Sequence, residues 1–363
     1  MQHRCTVFLL ALLWPLLGVA QTKPAAPTTT PAKPIPVRVV VVTMFERDND
    51  TGDTPGEFQY WVERLPLKEV LAFPQGYRAL RYNPEKQVLG ICTGMGTARA
   101  AASIMALGMD PRFDLTKAYW LVAGIAGIDP ADGSTGSAVW AEWLVDGDLA
   151  HEIDPREIPK DWTTGYLPLS KTKPYQEPAR AGEYNNAMHL NPGLVHWAYE
   201  LTKDLKLPDN DKIREMRQAY TQHAAAQQPP KVMMGDHLAA MTYWHGENLN
   251  TWANDWVRYW TQGKGNFVTS AMEDTGTGQS LQFLAKAGRV DFNRYLVLRT
   301  ASNFTMQHPG ITAIQSLANE EHGQDKGYSA YLPSVEAAYL TGSLVVNRLV
   351  SNWTEFANKI PGQ

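Results

Sequence analysis

The most regular feature of the sequence is a series of short, almost purely apolar runs, each ending in a polar or glycine-containing stretch. Such runs predict parallel strands covered on both faces, and apolar residues at helical spacing between them predict the covering helices. The predicted strands are 37–43, 87–93, 119–124, 136–148, 231–236, 267–270 and 295–300. The predicted helices include 57–70, 100–107, 275–287 and 333–350. This alternation indicates an α/β fold.

The segment from Phe267 to Asn303 is the best-defined unit, because it contains a strand, a helix and a second strand. The first strand is followed by Glu273, and the second by Asn303. Ligands of open α/β sheets bind at the carboxyl ends of the strands, so these two side chains are predicted to face one pocket. The alternative role for Glu273 is to cap the following helix, since helix N-termini favour acidic side chains.

A Met-Glu pair at one strand end and an Arg-x-x-Ser-Asn sequence at the other resemble motifs of the purine nucleoside phosphorylase and nucleosidase superfamily. Beyond an N-terminal leader at residues 1–36, the whole chain is most similar to the group called purine nucleoside permeases. The resemblance implies a nucleoside-phosphorylase-like, three-layer α/β/α fold with a central mixed, largely parallel sheet. It also implies that Met272 and Glu273 hold the ribose hydroxyls, while Asn303 reaches N7 of the purine.

Two glycine motifs strengthen the resemblance. One is Thr93, Gly94 and Gly96, between a strand and a helix. Bare backbone N–H groups at a helix N-terminus suit an anion or a sugar oxygen, although tight helix packing explains these glycines equally well. Superfamily members carry Thr/Ser-Gly-x-Gly at this place. They also carry a Gly-x-x-Gly motif under the purine, which Gly124 and Gly127 match.

The loop after strand 37–43 is the candidate acceptor site. Hydrolytic members of the superfamily position the attacking water with an acidic cluster here, and the resemblance assigns that role to Glu46 and Asp48. Arg47 is a candidate anion contact, and a solvated loop is the alternative interpretation. Phosphorolytic members place an arginine just before the Gly-x-x-Gly motif, whereas residues 121–123 are apolar here. Without that cation a buried phosphate is poorly compensated, which favours water as the acceptor.

Aromatic residues near the middle of the chain are further candidates for the ligand site. Tyr243, Trp244 and His245 precede a glycine. An aromatic ring can stack on a purine, and a histidine can hydrogen-bond a sugar hydroxyl. A structural role explains His245 equally well. Three tryptophans at four-residue spacing follow and indicate core packing on a helix: Trp252, Trp256 and Trp260.

The N-terminal segment has the pattern of an export signal. Residues 1–20 combine Arg4, an apolar run too short to span a membrane comfortably, and small residues before Gln21. Residues 21–36 are rich in Pro, Thr and Ala and predict a disordered linker. We therefore expect an exported protein, periplasmic or extracellular. Its single domain would cover 37–363, with a helical insertion at 149–230 that either covers the pocket or blocks a subunit interface.

Composition narrows the classes of function. The chain has 363 residues and a net charge of −4 at pH 7, so the basic face needed for nucleic-acid binding is not expected. After leader removal Cys92 is the remaining cysteine, which excludes an intrachain disulfide. The histidines show no metal-ligand spacing, so no metal is predicted. No cofactor is predicted either, with inorganic phosphate kept open as a co-substrate.

Two functions follow from these observations, and the sequence leaves base preference and oligomeric state open. In the first, the protein is an exported enzyme that cleaves the N-glycosidic bond of purine nucleosides, by hydrolysis in preference to phosphorolysis. In the second, it is a non-catalytic nucleoside-binding component that serves purine nucleoside transport with a membrane partner. No stable membrane insertion is expected, because no apolar stretch beyond the leader could span a bilayer.

Overall fold

The computed structural model describes residues 33–176, 180, 182–322 and 330–363. The predicted export signal at 1–20, and the predicted linker up to residue 32, lie outside these residues. The last residues of that linker already belong to the fold, because Ile35–Pro36 pairs in parallel with Phe113–Asp114. The folded unit begins at Pro34, slightly before the predicted boundary.

The strands follow one another closely along the chain. In chain order they are β1 (Ile35–Pro36), β2 (Val39–Thr43), β3 (Glu69–Leu71), β4 (Leu80–Asn83), β5 (Val88–Cys92), β6 (Phe113–Asp114), β7 (Tyr119–Ile128), β8 (Ala138–Trp140), β9 (Trp143–Asp146), β10 (Ala150–Glu152), β11 (Tyr166–Pro168), β12 (Ala187–His189), β13 (Val232–Met234), β14 (Asp236–Ala239), β15 (Phe267–Ala271) and β16 (Tyr295–Phe304). The predicted apolar runs are confirmed as strands; the run at 136–148 is divided into β8 and β9.

β7 is the central strand of the main sheet, and it pairs with different strands in its two halves. Its first half pairs in parallel with β2, its second half pairs antiparallel with β15, and β16 runs parallel to nearly all of it. The order across the sheet is β12-β9-β14-β15-β7-β2-β5-β4-β3, with β16, β8 and β13 branching from β7. The carboxyl ends of β2 and β15 therefore meet where β7 changes partners, which is where ligands bind in open α/β sheets.

The helices complete a three-layer α/β/α arrangement. They are α1 (Gln59–Arg64), α2 (Thr97–Met109), α3 (Pro192–Thr202), α4 (Asp211–Gln218), α5 (Glu247–Trp260), α6 (Asp274–Lys286), α7 (Ala313–His322), α8 (Tyr331–Ser351) and α9 (Trp353–Phe356). α2 packs against α6, whereas α8 packs on β16 and β7 and also contacts α1 and α3. The mixed sheet between these helices confirms the predicted fold class. Within the described residues, every helix is too short or too polar to cross a membrane.

The helix predicted over 57–70 is wrong in its second half. α1 ends at Arg64, and Glu69–Leu71 forms the edge strand β3. Pro66 explains the early end, because the residue before a proline disfavours the helical conformation. Leu67, just beyond this proline, is buried in the main core.

The predicted insertion at 149–230 contains strands as well as helices. Strands β10 and β11 form a separate hairpin, and β12 adds to the edge of the main sheet beside β9. Asn191 and Asn210 are the N-cap residues of α3 and α4, and their side chains accept hydrogen bonds from backbone N–H groups of the first turns. No described residue of this segment lines the cavity described below.

Candidate functional site

A cavity of about 460 Å³ lies where the ends of β2 and β15 meet β7 and β16. Its position at the carboxyl ends of these strands agrees with the general location of ligand sites in α/β sheets. Its larger apolar lining residues are Met44, Phe45, Met95, Ile125, Trp244 and Tyr331. Its charged and hydrogen-bonding residues include Arg47, Glu57, Tyr243, Glu273, Arg299 and Asn303. The mixture of apolar walls and a few convergent polar groups is typical of a small-molecule site.

Glu273 lies in the cavity wall between the end of β15 and the start of α6. Its Oε1 accepts the backbone N–H of Gly96 at 2.9 Å, and its Oε2 accepts Nη2 of Arg299 at 3.0 Å. The side chain makes no hydrogen bond that would cap α6. Helix capping therefore does not explain the position of this carboxylate, which is 4% exposed and faces the cavity.

Arg299 is buried behind Glu273, and several acceptors hold its guanidinium. Asp274 accepts from Nε at 3.1 Å and from Nη2 at 2.7 Å, and the carbonyl of Ile125 accepts from Nη1 at 3.0 Å. Burial alone would raise the pKa of Asp274, but Arg299 and His237 outweigh it and hold that pKa well below its usual range. The guanidinium charge is thus largely compensated within the protein.

Glu57, which no sequence motif indicated, faces the cavity beside these residues. Its Oε2 accepts the N–H of Met44 and its Oε1 that of Ile125, both at 2.8 Å. Burial raises the pKa of Glu57 to about 8, against the opposing effect of Arg299. A carboxyl group that titrates near neutral pH in a cavity is suited to proton transfer.

Gly124, predicted to contact a ligand, acts by leaving space. A Cβ at this position would lie 2.5 Å from Oε1 of Glu57 and 2.9 Å from Nη1 of Arg299, and it would collide with Met44. Any side chain at 124 would therefore push apart the acid and the cation that converge on the cavity.

A β-bulge in β16 shapes the opposite part of the cavity. Ala301 pairs with Ala126 and Asn303 with Gly127, so Ser302 is an extra residue in the ladder. Neighbouring residues of a regular strand point to opposite faces, but this bulge brings both Ser302 and Asn303 to the cavity.

Asn303 is hydrogen-bonded on both sides of its amide. Its Nδ2 donates to the hydroxyl of Tyr243 at 2.9 Å and to the carbonyl of Phe304 at 3.1 Å, while its Oδ1 accepts from Ser302 Oγ at 2.9 Å. A Cβ at Gly127 would lie 3.4 Å from Nδ2, so this glycine gives the amide room. The predicted site residues that the structure brings together in the cavity are Met272, Glu273, Asn303, Gly127, Tyr243 and Trp244.

Glu46, predicted to position an acceptor, lies outside the cavity lining. Its carboxylate accepts the N–H groups of Arg47 at 2.9 Å, Phe58 at 2.9 Å, Gln59 at 2.6 Å, and Gly56. These bonds hold the segment that leads into α1, so the role visible for Glu46 is structural.

Asp48 is exposed and also lies outside the cavity lining. Its backbone carbonyl accepts from Arg78, which holds this loop from outside. Arg47, between the two acids, does line the cavity, with its guanidinium 5.0 Å from the ring centroid of Tyr331.

The residues of the Thr-Gly-x-Gly motif at 93–96 contribute to the cavity mainly by holding other residues in place. Thr93 is fully buried, and its hydroxyl bonds the carbonyls of Thr43 and Gly94. Gly96 has a φ of 97° and supplies the N–H that holds Glu273, while Met95 between the two glycines lines the cavity. The motif therefore positions the carboxylate through its backbone.

His245 lies outside the cavity lining, although its neighbours Tyr243 and Trp244 are part of it. Burial lowers the pKa of His245 to about 4, so its ring is neutral at neutral pH. This placement favours the structural alternative for this histidine.

The side chains that line the assembled cavity offer three chemical functions. Glu273 can accept hydrogen bonds from hydroxyl groups, Glu57 can exchange a proton, and Asn303 can hydrogen-bond a nitrogen-containing ring. In the described parts of the chain, no three potential metal ligands come together. The arrangement suits a ligand that carries both hydroxyl groups and a heterocycle.

Comparison with known sequences gives a consistent family. Residues 36–361 match the family profile described as purine nucleoside permease. A Schizosaccharomyces pombe protein named as a purine nucleoside permease is 30% identical over 293 residues, which cover 78% of this chain and 82% of that protein. The purine nucleoside permease of Candida albicans is 28% identical over 341 residues, or 92% of this chain and 81% of that protein.

Solved structures share the fold at low sequence identity. A crystal structure of a candidate 5′-methylthioadenosine/S-adenosylhomocysteine nucleosidase from Francisella philomiragia has a TM-score of 0.50 at 12% identity, covering 87% of this chain and 99% of that chain. Futalosine hydrolase of Helicobacter pylori has a TM-score of 0.49 at 13% identity, covering 86% and 98%. The first similarity supports the three-layer α/β fold.

Proposed function

Because this chain belongs to the purine nucleoside permease family, we propose that it binds purine nucleosides and cleaves their N-glycosidic bond with water. The observation that carries the proposal is the convergence of Glu57 and Glu273 on one cavity beside Arg299. One carboxyl group can hold the sugar while the other exchanges a proton with the acceptor, and hydrolysis of a glycosidic bond needs both tasks.

In the proposed reaction the oxygen of water bonds to C1′ of the sugar as the bond from C1′ to N9 of the purine breaks. Ionised Glu57 accepts the proton that the water loses. Glu273 accepts hydrogen bonds from the sugar hydroxyls and stabilises the positive charge that develops on the sugar. The bonding electrons leave with the purine, which takes a proton from solvent. The products are free ribose and the free base.

The choice of water over phosphate follows from the charges around the cavity. Arg299 is already paired with Glu273 and Asp274, so its charge is not available to a phosphate. Residues 121–123 are apolar and supply no cation in its place, and Arg47, the other lining arginine, lies over the ring of Tyr331. A buried phosphate without a compensating charge is strongly disfavoured.

We expect added inorganic phosphate to leave the rate of inosine cleavage unchanged, with free ribose as the sugar product. The measurement is product analysis by NMR with and without phosphate. Formation of ribose 1-phosphate would contradict the choice of acceptor and would direct attention to Arg47, whose guanidinium lines the cavity.

The amide of Asn303 is proposed to select the base. An amide cannot transfer a proton, but its NH₂ group can donate to N7 and to a 6-oxo oxygen together. This pose uses both hydrogens of Nδ2, so it requires Tyr243 to move and the bond to the carbonyl of Phe304 to be given up. Tyr243 is 46% exposed. Inosine and guanosine should therefore be better substrates than adenosine.

Asn303→Asp should shift the preference toward adenosine and add a new pH dependence, because a carboxyl group can both accept from the 6-amino group and protonate N7. The measurement is kcat/KM for inosine, guanosine and adenosine across pH. Tyr243→Phe is the matched control, since it removes the partner hydroxyl and keeps the amide. Equal activity on all three nucleosides before and after Asn303→Asp would remove this residue from the base site.

The names of the fungal relatives favour a second candidate function. In that case the protein is a non-catalytic, nucleoside-binding component of purine nucleoside transport, acting with a membrane partner. Incubation with inosine, adenosine and guanosine separates the two. Nucleoside binding by calorimetry without release of base would favour the transport component, whereas released base would favour the enzyme.

Export is proposed from residues 1–20, with the mature chain beginning near Gln21. Expression in a host that recognises the signal should give protein outside the cytoplasm that stays in solution without detergent. N-terminal sequencing and fractionation test this. Protein that retains Met1 and appears only in a detergent extract would contradict the proposed signal.

A further inference from the structure

Behind the cavity, three buried side chains form a row that we call the His237–Asp274–Arg299 row. His237 and Asp274 are fully buried, and neither lines the cavity. Nδ1 of His237 lies 3.0 Å from the hydroxyl of Thr269, and its Nε2 lies 2.8 Å from Oδ2 of Asp274. Asp274 then contacts Arg299 through both carboxylate oxygens. The row connects β14 to the guanidinium that contacts Glu273.

The charge of Arg299 is shared among several carboxyl groups. Three carboxyl groups, those of Glu57, Glu273 and Asp274, lie around one guanidinium. Arg299 makes two hydrogen bonds to Asp274 and one to Glu273, while Glu57 is held by backbone N–H groups. In a buried site the orientation of one cation strongly affects every neighbouring acid.

We propose that His237 and Asp274 are positioning residues, which hold Arg299 against Glu273 and direct its charge away from Glu57. The inference rests on the proposed function, because both residues act through Glu273 and Glu57. His237 fixes one side of the Asp274 carboxylate, and Thr269 fixes the ring of His237. Asp274 in turn determines where the guanidinium can point.

The direction of the effect on Glu57 follows from the charges that face it. The titratable groups that act on Glu57 are Arg299 from β16, Glu273 from the start of α6, Tyr331 from α8 and Cys92 from β5. Arg47, from the loop after β2, lines the same cavity over the ring of Tyr331. Arg299 is the cation that lowers the pKa of Glu57. Asp274→Asn removes a negative charge beside Arg299, so more of the arginine's field reaches Glu57. The pKa of Glu57 should then fall below its value in the unsubstituted protein.

The first test measures the titration of Glu57 without using catalysis. Infrared or carbon-13 NMR spectra of glutamate-labelled protein are recorded across pH for the unsubstituted protein and for Asp274→Asn, and Glu57→Gln identifies the signal. We expect the midpoint to move to lower pH in Asp274→Asn. An unchanged or raised midpoint in a folded variant would overturn the inference. Because no turnover is needed, this result is distinct from failure of the proposed function.

The second test uses a matched pair at Thr269 and applies also if Asp274→Asn does not fold. Thr269→Val removes the hydroxyl that contacts His237 with little change in shape, whereas Thr269→Ser keeps it. We expect Thr269→Val to lower kcat by about ten-fold or more and Thr269→Ser to restore it, since small misplacements of reacting groups cost up to about 100-fold. Equal kcat values in the two variants would overturn the role of His237.

Asp209→Asn is the control for loss of a carboxylate that pairs with a buried arginine. Asp209 pairs with Arg217, which is 2% exposed and does not line the cavity. This variant should unfold at lower temperature and leave the Glu57 midpoint where it was. A comparable shift of the midpoint in Asp209→Asn would show that loss of stability alone moves it, and this outcome would also overturn the inference.

Discussion

Replacing Glu57 with glutamine should lower the turnover of purine nucleosides by about 100- to 10,000-fold, the range of a lost general base. Glutamine keeps the size of the side chain and can still accept one of the two N–H groups that Glu57 now bonds, from Met44 and Ile125. It cannot take a proton from water. The measurement is kcat for inosine, with nucleoside binding measured separately, and binding should change much less than turnover.

The pH dependence of the rate is a second test of Glu57 as the general base. Burial raises the pKa of Glu57 to about 8, so below this pH most molecules carry the proton and lack the base. The rate should therefore rise with pH and level off above about 8, and Glu57→Gln should lose this rise. Activity that falls over the same range would assign Glu57 the role of an acid in place of a base.

Folding stability should respond to the same group with the opposite trend. The pKa of Glu57 is about 8 in the folded protein and near the ordinary 4.5 in the unfolded chain, so the folded state binds the extra proton between these values. The free energy of unfolding contributed by this group therefore decreases as pH rises through that window. Glu57→Gln should be less sensitive to pH there.

Glu46→Gln is the control for Glu57→Gln, because both acids lie near the start of α1. The carboxylate of Glu46 accepts N–H groups from its own segment and lies outside the cavity lining. The amide would place donors against those N–H groups, at a cost of about 1–3 kcal/mol in stability. We expect Glu46→Gln to lower the melting temperature and to keep the rise of the rate with pH. Loss of this rise would support the role in positioning the acceptor that the sequence predicted for Glu46.

The strands around the site could be predicted because burial on both faces leaves a simple pattern. All residues of Val39–Thr43, Val88–Cys92 and Tyr295–Phe304 are buried. The sequence is nearly continuously apolar at 39–43, 88–92 and 295–298, so the polar residues that follow these runs stand out. Glu273 and Asn303 were found in this way, and both line the cavity.

Glu57 could not be found by the same route, because it belongs to no strand end. It reaches the cavity from the segment before α1 by accepting N–H groups from residues 44 and 125, which are far from it in sequence. The one local indication of a functional role is that this acid lies between Gly56 and Phe58. The side chain of Phe58 is fully buried. An acid beside a core aromatic is ambiguous until the tertiary fold is known.

The bulge at Ser302 could not be predicted from the sequence either. A regular strand would send Ser302 and Asn303 to opposite faces of β16, yet both line the cavity. No glycine or proline marks the irregularity in Thr300–Phe304. The bulge depends on pairing with β7, so it is a property of the assembled sheet and not of the local sequence.

Glu273→Ala should reduce turnover by about 100-fold or more, equivalent to roughly 3 kcal/mol of transition-state stabilisation. The carboxylate is nearly buried, and its contact with Arg299 and Gly96 fixes it in one position before substrate binds. Thr97→Val is a control beside it, because the hydroxyl of Thr97 donates to the carbonyl of Met272 at 2.6 Å. That variant should lose stability and retain most of the activity.

Comparing alanine with glutamine at 273, and inosine with 2′-deoxyinosine, separates charge from hydrogen bonding. Glutamine can still accept from Gly96 and from a sugar hydroxyl, so Glu273→Gln should resemble Glu273→Ala only if the charge stabilises the developing cation. If Glu273 contacts the 2′-hydroxyl, Glu273→Ala and 2′-deoxyinosine each remove the same hydrogen bond. The losses of activity from the two changes should then not add when the changes are combined. Additive losses would mean that Glu273 does not bind this hydroxyl. Activity of Glu273→Ala within a few-fold of the unsubstituted protein would limit the residue to holding Gly96 and Arg299.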